Sequence, residues 1–442
     1  MSNPAGAGSI WRNREFVKFW TGESISQLGS QITLLALPLT ALITLNATPG
    51  EMGVLNALSY LPFLVIGLFV GVWIDRVRRR PIMITSALCR AAVLASVPLL
   101  HVLHLLTIDY LYAAGLLLGI FMVLFEVTYQ AYLPSLVERG DLVAGNSKLQ
   151  VSASTAQVGG PALAGWLVGW LTAPAALLFD AVSFLVSAVS LIAVRKRETR
   201  PERQRPDSRV WPDIGEGLRF AFGNASLRAC VLEAGTYNMF WLVLETVFLL
   251  YAKRHLGISA GVIGLVLAGG AIGALAGALI AERLALRFGL GMVVSVAMTL
   301  GCAAPVLIPL ASGPRWVIFT LFTLAFFLGG AGTTVANIQV VSLRQAITPP
   351  AMLGRVNASY RFVAWGTVPL GALLGGALGD AVGLRPTLFV AAAGMFCAAL
   401  WIVLSPIRRT REIPESPDEP GAGRSADEDS GRPREPRSAE VM

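Results

Sequence analysis

The feature that most constrains this chain is a series of long apolar runs separated by short polar loops. A hydrocarbon layer of about 30 Å requires about 20 apolar residues in each helix that crosses it. Twelve runs fit this length, at residues 16–45, 53–74, 82–104, 108–136, 147–171, 174–194, 228–252, 259–282, 289–311, 315–343, 355–380 and 384–406. Only 14% of the residues are charged, whereas a soluble domain carries about 25%. The pattern therefore predicts an all-α membrane protein with transmembrane helices at these runs.

The positions of the basic residues predict the orientation in the membrane. The chain has a net charge of +8. Its Arg and Lys residues concentrate before the first run, in the loop after the sixth and after the twelfth, and few lie in loops on the other side. Because Lys and Arg are retained on the cytoplasmic side, both termini are expected to be cytoplasmic. The charge then reports topology, and no nucleic-acid partner is expected.

A polar stretch in the middle of the chain divides the runs six and six. We expect a cytoplasmic N-terminal segment at 1–15, a six-helix bundle at 16–194, a cytoplasmic linker at 195–227, a second six-helix bundle at 228–406 and a tail at 407–442. Within the linker, Trp211–Phe222 has apolar residues at helical spacing, which predicts an amphipathic helix along the membrane surface. The tail is rich in Pro, Ser and charged residues, which predicts disorder.

The two halves also resemble each other in sequence. At an offset of 211 residues, Glu126 aligns with Asn337 and Gly165 aligns with Gly376. Gln27 and Asn238, and Gly160 and Gly371, align at the same offset. Several matches at one offset predict two parallel six-helix repeats related by an axis along the membrane normal. The alternative is a chance alignment between apolar segments of low diversity.

The loop between the second and third runs is short and very basic, and it contains Gly71, Asp75, Arg76 and Arg79. It resembles the loop between helices 2 and 3 of major facilitator superfamily transporters, except that Arg78 stands where the family usually has Gly. The resemblance implies a gating role for the four residues. The alternative is a loop that only fixes the topology.

Further segments resemble the drug and siderophore exporter branch of that superfamily, including macrolide-efflux and enterobactin-export permeases. Residues 26–39 are similar to its first helix, and 129–134 to the end of its fourth. Gly160, Pro161 and Gly165 resemble the Gly-Pro motif in the fifth helix of antiporters. Independently of the family, the glycines allow close helix approach and the proline bends the helix. The resemblance covers residues 10–406 and implies the major facilitator fold.

Ionisable residues inside the apolar runs are the candidate functional groups, since burying each costs about 2.5–3.5 kcal/mol. By resemblance, the first, fourth, seventh and tenth helices line a central cavity, so Glu23, Glu126 and Glu245 are expected to meet substrate or protons. Desolvation favours a protonated carboxylic acid, which can then exchange a proton near neutral pH. Glu126 is the strongest candidate because it lies within a long apolar run. Gln27, Tyr129, Gln130, Asn238, Trp241, Asn337 and Gln339 are expected around these carboxylates.

The other intramembrane charges have simpler interpretations. Asp180 and Arg361 are expected to be structural, and Arg90 is expected to pair with a carboxylate and fix two helices together. Glu23 and Glu233 lie near the cytoplasmic ends of their runs, so the alternative for both is contact with headgroup water.

The sequence contains neither the phosphate-binding motif of an ATP-driven pump nor the motif of a zinc hydrolase. GxxxxGK[ST] and HExxH do not occur, so an enzyme, a cofactor and a metal site are not expected. We expect a monomeric, multi-pass protein of the cytoplasmic membrane that exports amphipathic small molecules, such as drugs, antibiotics or siderophores, by proton antiport. The alternatives are an importer or facilitator of the same fold, or a membrane receptor that transports nothing.

Overall fold

The computed structural model describes residues 10–67, 70, 77–137, 141–196, 210–349 and 352–410, which are nearly all helical. The helices are α1 (Arg14–Leu39), α2 (Pro49–Val65), α3 (Arg79–Val102), α4 (Ile108–Leu136), α5 (Leu142–Trp170), α6 (Ala173–Ala193), α7 (Val210–Gly223), α8 (Ala225–Leu250), α9 (Ala260–Phe288), α10 (Leu290–Ala303), α11 (Arg315–Ile347), α12 (Leu353–Gly366), α13 (Val368–Val382) and α14 (Leu384–Val403). Short turns extend α1 to Thr44, α8 to His255 and α10 to Leu310.

Within the described residues, nine helical segments are long and apolar enough to cross a membrane. One of them, Leu353–Val382, joins α12 and α13. The helices α2, α5 and α8 are not among the nine. The described part of α2 has 17 residues, and the first half of α5 carries many polar side chains. The structure therefore places a helix at every predicted run, and among the described residues nine segments also have the length and apolarity needed to span a membrane.

Local sequence signals set the helix ends. At the start of α2, Thr48 and Glu51 form a reciprocal capping box, with Thr48 N donating to Glu51 Oε2 at 2.7 Å and Glu51 N donating to Thr48 Oγ1 at 3.2 Å. Such pairs satisfy amides that have no partner within the helix. Gly289 and Gly383 connect α9 to α10 and α13 to α14 with φ of 81° and 90°. A side chain is strained at such φ values, so glycine allows these one-residue connections.

The helices pack in two groups. The first group is α1–α6, in which α1 packs on α5 and α6, and α3 packs on α4 and α6. The second group is α8–α14, in which α9 and α10 pack on α11, and α14 packs on α8. Two broad contacts join the groups, between α2 and α13 and between α5 and α9. The amphipathic helix α7 packs on α12, where Arg355 Nη1 and Glu216 Oε1 are 3.0 Å apart.

Large apolar side chains cover the outside of the bundle. Leu286 is 81% exposed, and Val102, Leu279 and Trp316 are also largely exposed. Monomeric soluble proteins rarely expose apolar patches of this extent. In a bilayer the same surface faces lipid tails, so the exposed residues agree with the apolar runs in indicating a membrane protein.

The two groups approach most closely at one end of the bundle. This tight end contains the start of α2 and the end of α13. There, a Cβ on Gly53 would lie 2.7 Å from the Ala372 carbonyl oxygen, and one on Gly376 would lie 2.8 Å from the Pro49 oxygen. Gly50 N also donates across the groups to Asp380 Oδ2 at 2.9 Å. The opposite end, where α1 begins and α2 ends, is called the cavity end.

Candidate substrate-binding cavities

A cavity of about 390 Å³, called the N cavity, lies inside the first group. Its volume is in the range of sites for drug-sized ligands. Leucine, phenylalanine and methionine side chains provide most of its wall, together with a limited set of polar groups. The polar lining residues are Glu23, Ser26, Gln27, Ser30, Gln31, Thr33, Asn56, Ser59, Tyr60, Arg90, Glu126, Tyr129, Gln157, Asp180 and Glu245. Of these, Glu245 alone comes from the second group.

The N cavity contains more acidic than basic groups. Four carboxylates and one guanidinium of the described residues line it. The guanidinium is that of Arg90, which is 9% exposed and stacks on the Phe184 ring with its Cζ 3.8 Å from the centroid. It lines the cavity together with Glu23, Glu126 and Asp180. With every group ionised the cavity would be strongly negative, so it can attract a cation or hold protons.

Arg90 forms no salt bridge within the described residues, contrary to the expectation that it pairs with a carboxylate. Its Nη2 donates to Ser30 Oγ at 3.4 Å, and its buried Nε has no partner among those residues. The nearby carboxylate of Asp180 instead accepts hydrogen bonds from Thr33 and from Ser183 Oγ, the latter at 2.8 Å. Asp180 is thus bound by hydroxyl groups of α1 and α6 and not by Arg90. The ring of Phe184 is therefore the closest described contact of the Arg90 guanidinium.

Glu23 does not reach the surface. It is 5% exposed, and its Oε1 accepts a hydrogen bond from Gln27 Nε2 at 2.7 Å. Its Oε2 is buried and has no partner among the described residues. The structure therefore favours a cavity residue over contact with headgroup water. A buried carboxylate oxygen without a donor is costly while ionised, which makes Glu23 a candidate to carry a proton.

Glu126 lines two cavities. Besides the N cavity, it borders a space of about 360 Å³ between the two groups near the cavity end, called the junction cavity. Phe63 borders the same two cavities. Phe63 also stacks on Trp365 of the second group, with ring centroids 5.3 Å apart. Arg361, expected to be structural, is exposed and lines the junction cavity opposite Glu126.

A third space, called the C cavity, has a volume of about 340 Å³ and lies within the second group. It brings together Glu233, Asn238 and Asn337. Asn238 Nδ2 donates to the Ala364 carbonyl oxygen at 2.9 Å, which joins α8 to α12. Trp365 lines both the C cavity and the junction cavity. The junction cavity thus shares wall residues with each of the other two.

Some predicted residues lie elsewhere. Gln339 is buried, and its Nε2 donates to the Ala281 carbonyl oxygen at 3.2 Å. Trp241 stacks on Tyr237 with ring centroids 6.2 Å apart, and neither Gln339 nor Trp241 lines any of the three cavities.

Among the other predicted residues, Tyr129 does line the N cavity, where its ring stacks on Phe125. Gly71, Asp75 and Arg76 lie outside the described residues, as does the side chain of Gln130, and Arg79 is the first residue of α3.

Sequence reasoning missed the contribution of α2. Asn56, Ser59 and Tyr60 all line the N cavity. Asn56 Nδ2 also donates to Thr246 Oγ1 of α8 at 3.1 Å, across the two groups. The available signal was the presence of three polar side chains within five residues of an otherwise apolar run.

The Gly-Pro motif lies where helices touch. A Cβ on Gly160 would collide with Gln31 of α1, and one on Gly165 with the Ala260 carbonyl oxygen at the start of α9. A Cβ on Gly264 of α9 would in turn collide with the Pro161 carbonyl oxygen. The motif therefore allows α5 to pack closely on α1 of its own group and on α9 of the other group. The contact between α5 and α9 lies toward the tight end, because α5 ends and α9 begins there.

Residues 6–431 match the family model described as transmembrane secretion effector, a family of the major facilitator superfamily. The chain belongs to this family. It is a membrane transporter, as the sequence predicted.

Individual relatives extend over most of the chain. The multidrug efflux pump Tap of Mycolicibacterium fortuitum is 25% identical over 400 residues, covering 88% of this chain and 95% of Tap. The macrolide efflux protein A of Streptococcus pyogenes is 21% identical over 396 residues, covering 87% of this chain and 94% of that protein. The crystal structure of a mutant of the nucleoside transporter NupG superposes with a TM-score of 0.74 at 11% identity, covering 88% of this chain and 99% of NupG. At that identity the structural similarity concerns the fold alone.

Proposed function

We propose that this transporter is a secondary active exporter of amphipathic small molecules, such as drugs, antibiotics or siderophores, across the cytoplasmic membrane. In this proposal twelve membrane helices form two repeats, 16–194 and 228–406, with both termini in the cytoplasm. The repeats rock about the cavities between and within them, so that each end of the bundle opens in turn. The linker at 195–227 and the tail at 407–442 then lie in the cytoplasm.

The observation that carries the proposal is the chemistry of the N cavity. Its wall is mostly apolar and aromatic, which suits the body of an amphipathic molecule. Its four described carboxylates lie among the helices, and those of Glu23 and Asp180 are buried. Ionisable residues within membrane helices commonly mark substrate pathways and proton relays. Drug-sized volume, apolar wall and buried acids together support a site in which a substrate and protons compete.

The direction of transport is supported by the relatives whose names describe efflux. The predicted topology would place the tight end outside the cell and the cavity end inside. The described conformation would then be closed on the outside of the cell, as expected of an exporter that loads its substrate from the cytoplasm. The fold alone does not decide direction, since a nucleoside transporter has it too, and an importer or facilitator remains the second candidate.

Proton antiport is the proposed energy source because the chain lacks a phosphate-binding loop. Glu126 is the proposed coupling residue, since it borders both the N cavity and the junction cavity. A proton on Glu126 would be reachable from the space between the groups, and an arriving substrate could displace it. Glu23 and Glu245 are the next candidates, as both line the N cavity.

The proposal is tested by substrate accumulation in cells. A strain lacking its own efflux pumps should accumulate less of at least one macrolide, tetracycline or catecholate siderophore when it expresses the transporter. Glu126→Gln at equal membrane abundance should restore accumulation to the level of the empty strain. Greater uptake in expressing cells would favour an importer, and no change for any compound would contradict export of these three substrate classes.

A further inference from the structure

The C cavity contains a buried carboxylate that no described residue neutralises. Glu233 is 6% exposed and lies two turns into α8, yet it lines the cavity. Among the described residues its carboxylate has no hydrogen bond and no salt bridge, whereas Glu23 has Gln27 as a donor. An ionised group in such a position is costly unless a ligand or counter-ion reaches it.

A basic residue close to the C cavity contacts a different partner. Arg344 lies on α11 one turn beyond the cavity-lining Val340, and its Cζ is 3.8 Å from the centroid of the Tyr360 ring. Its Nε and Nη1 are buried without partners among the described residues. The guanidinium therefore holds Tyr360, whose ring forms part of the cavity wall, and does not form a salt bridge with Glu233.

The rest of the wall suits an organic cation better than a bare ion. Asn337 is exposed to the space, and Thr334 and Asn337 form no described hydrogen bond. Tyr237 and Trp365 add aromatic surface, and such faces attract cations. A volume of about 340 Å³ is far larger than a dehydrated metal ion requires.

We propose that the C cavity is a second binding site, which takes the positively charged end of an amphipathic organic cation, with Glu233 as its counter-ion. Asn337 and Thr334 provide hydrogen bonds, and the aromatic residues contact the apolar part of the ligand. Every described residue that lines this site comes from the second group, and nearly all the described residues that line the N cavity come from the first. The junction cavity lies between them, so the two sites can be occupied at the same time.

The test is the number of sites for a permanent cation. The full chain in lipid nanodiscs is titrated with ethidium by calorimetry, beside the neutral amphiphile chloramphenicol. The wild type should bind two ethidium molecules. Glu233→Gln should weaken one of the two sites at least tenfold, leave the other unchanged and leave chloramphenicol binding unchanged. Retention of the other site shows that the variant is folded.

Two further variants make the result specific. Glu245→Gln, in the N cavity, should weaken the site that Glu233→Gln leaves intact. Glu216→Gln removes the same charge from the surface of α7 and should leave both sites unchanged. A single wild-type site, a Glu233→Gln profile identical to the wild type, or displacement of ethidium from this site by millimolar Na⁺ would overturn the proposal. The proposed second site rests on the proposed export only in the choice of an amphipathic probe. If the protein binds two ethidium molecules but shows no proton-driven transport, the export proposal fails and the second site stands.

Discussion

Gly376→Ala should shift the transporter away from the described conformation. Gly376 lies at the tight end, where α13 crosses α2, and an added Cβ would be 2.8 Å from the Pro49 carbonyl oxygen and 3.1 Å from Gly50 Cα. Ordinary van der Waals contact begins at 3.4 Å, so the two helices must separate by 3.4 minus 2.8, or 0.6 Å. Overpacking of this kind costs about 1–3 kcal/mol. Because each 1.4 kcal/mol is tenfold, the ratio of the conformation open at the tight end to the closed one should rise by about 5- to 150-fold.

The assay is the distance between spin labels on the two groups at the tight end. Labels at Leu105 and Ser312, on a background without the four free cysteines, report the separation of the groups by pulsed electron resonance. Gly53→Ala, from the other side of the same contact, should produce the same shift, because its Cβ would meet the Ala372 carbonyl oxygen at 2.7 Å.

The control is Gly169→Ala, which adds the same methyl group to α5, where no atom lies within 4 Å of the new Cβ. Both changes raise helix propensity by about 1 kcal/mol, so a difference between them isolates the contact. If Gly376→Ala leaves the distance distribution unchanged, or if Gly169→Ala shifts it equally, the steric account of the tight end is refuted.

Three other substitutions have defined outcomes. Asp380→Ala removes the acceptor of the Gly50 N–H at the start of α2 and should favour opening at the tight end by about 0.3–1 kcal/mol, with a smaller effect for Asp380→Asn. Equal label distances in the wild type and both variants would show that this hydrogen bond does not stabilise the closed tight end. Glu126→Gln should abolish proton-coupled efflux and retain substrate binding, since the amide keeps the shape but cannot ionise, and wild-type pumping would transfer the role to Glu245 or Glu23. Asp75→Asn should impair transport at normal membrane abundance, because the resemblance implies a gating role for this residue. Normal transport by the variant would indicate that the loop between the second and third runs only fixes the membrane topology.

The helices could be predicted closely from the sequence because length and apolarity suffice to place them. Each of the predicted runs corresponds to described helices, and Val210–Gly223, after the central loop, is also helical. The division of the eleventh run at Thr367, between α12 and α13, was not predicted. Pro369 lies in the first turn of α13, just after this break. A proline at such a position can begin a new helix or kink a continuous one, so the sequence did not distinguish the two.

The face that a side chain occupies was harder to predict. Glu126 was expected in a cavity because a charge in a long apolar run requires a polar environment, and it lines two. Gln339 also lies within an apolar run, but its amide points to α9 and donates to the Ala281 carbonyl oxygen. Helices that are apolar nearly all round have no strong periodicity, so the sequence could not distinguish these two orientations.

Depth along a helix was also a poor guide to exposure. Glu23 and Glu233 lie about two turns from the starts of their helices, and headgroup contact was a reasonable alternative for both. The structure buries both in cavities. The reason is tertiary, since each side chain faces a cavity within its own group of helices.

The most direct test of the proposed export is transport into everted membrane vesicles. Vesicles that contain the transporter are energised to acidify their interior, and uptake of a substrate from the cell panel is followed with and without an uncoupler. Export from cells predicts accumulation inside these vesicles, its collapse when the uncoupler is added, and none with Glu126→Gln. Accumulation that persists with the uncoupler, or uptake equal to that of vesicles without the transporter, would contradict proton-coupled export.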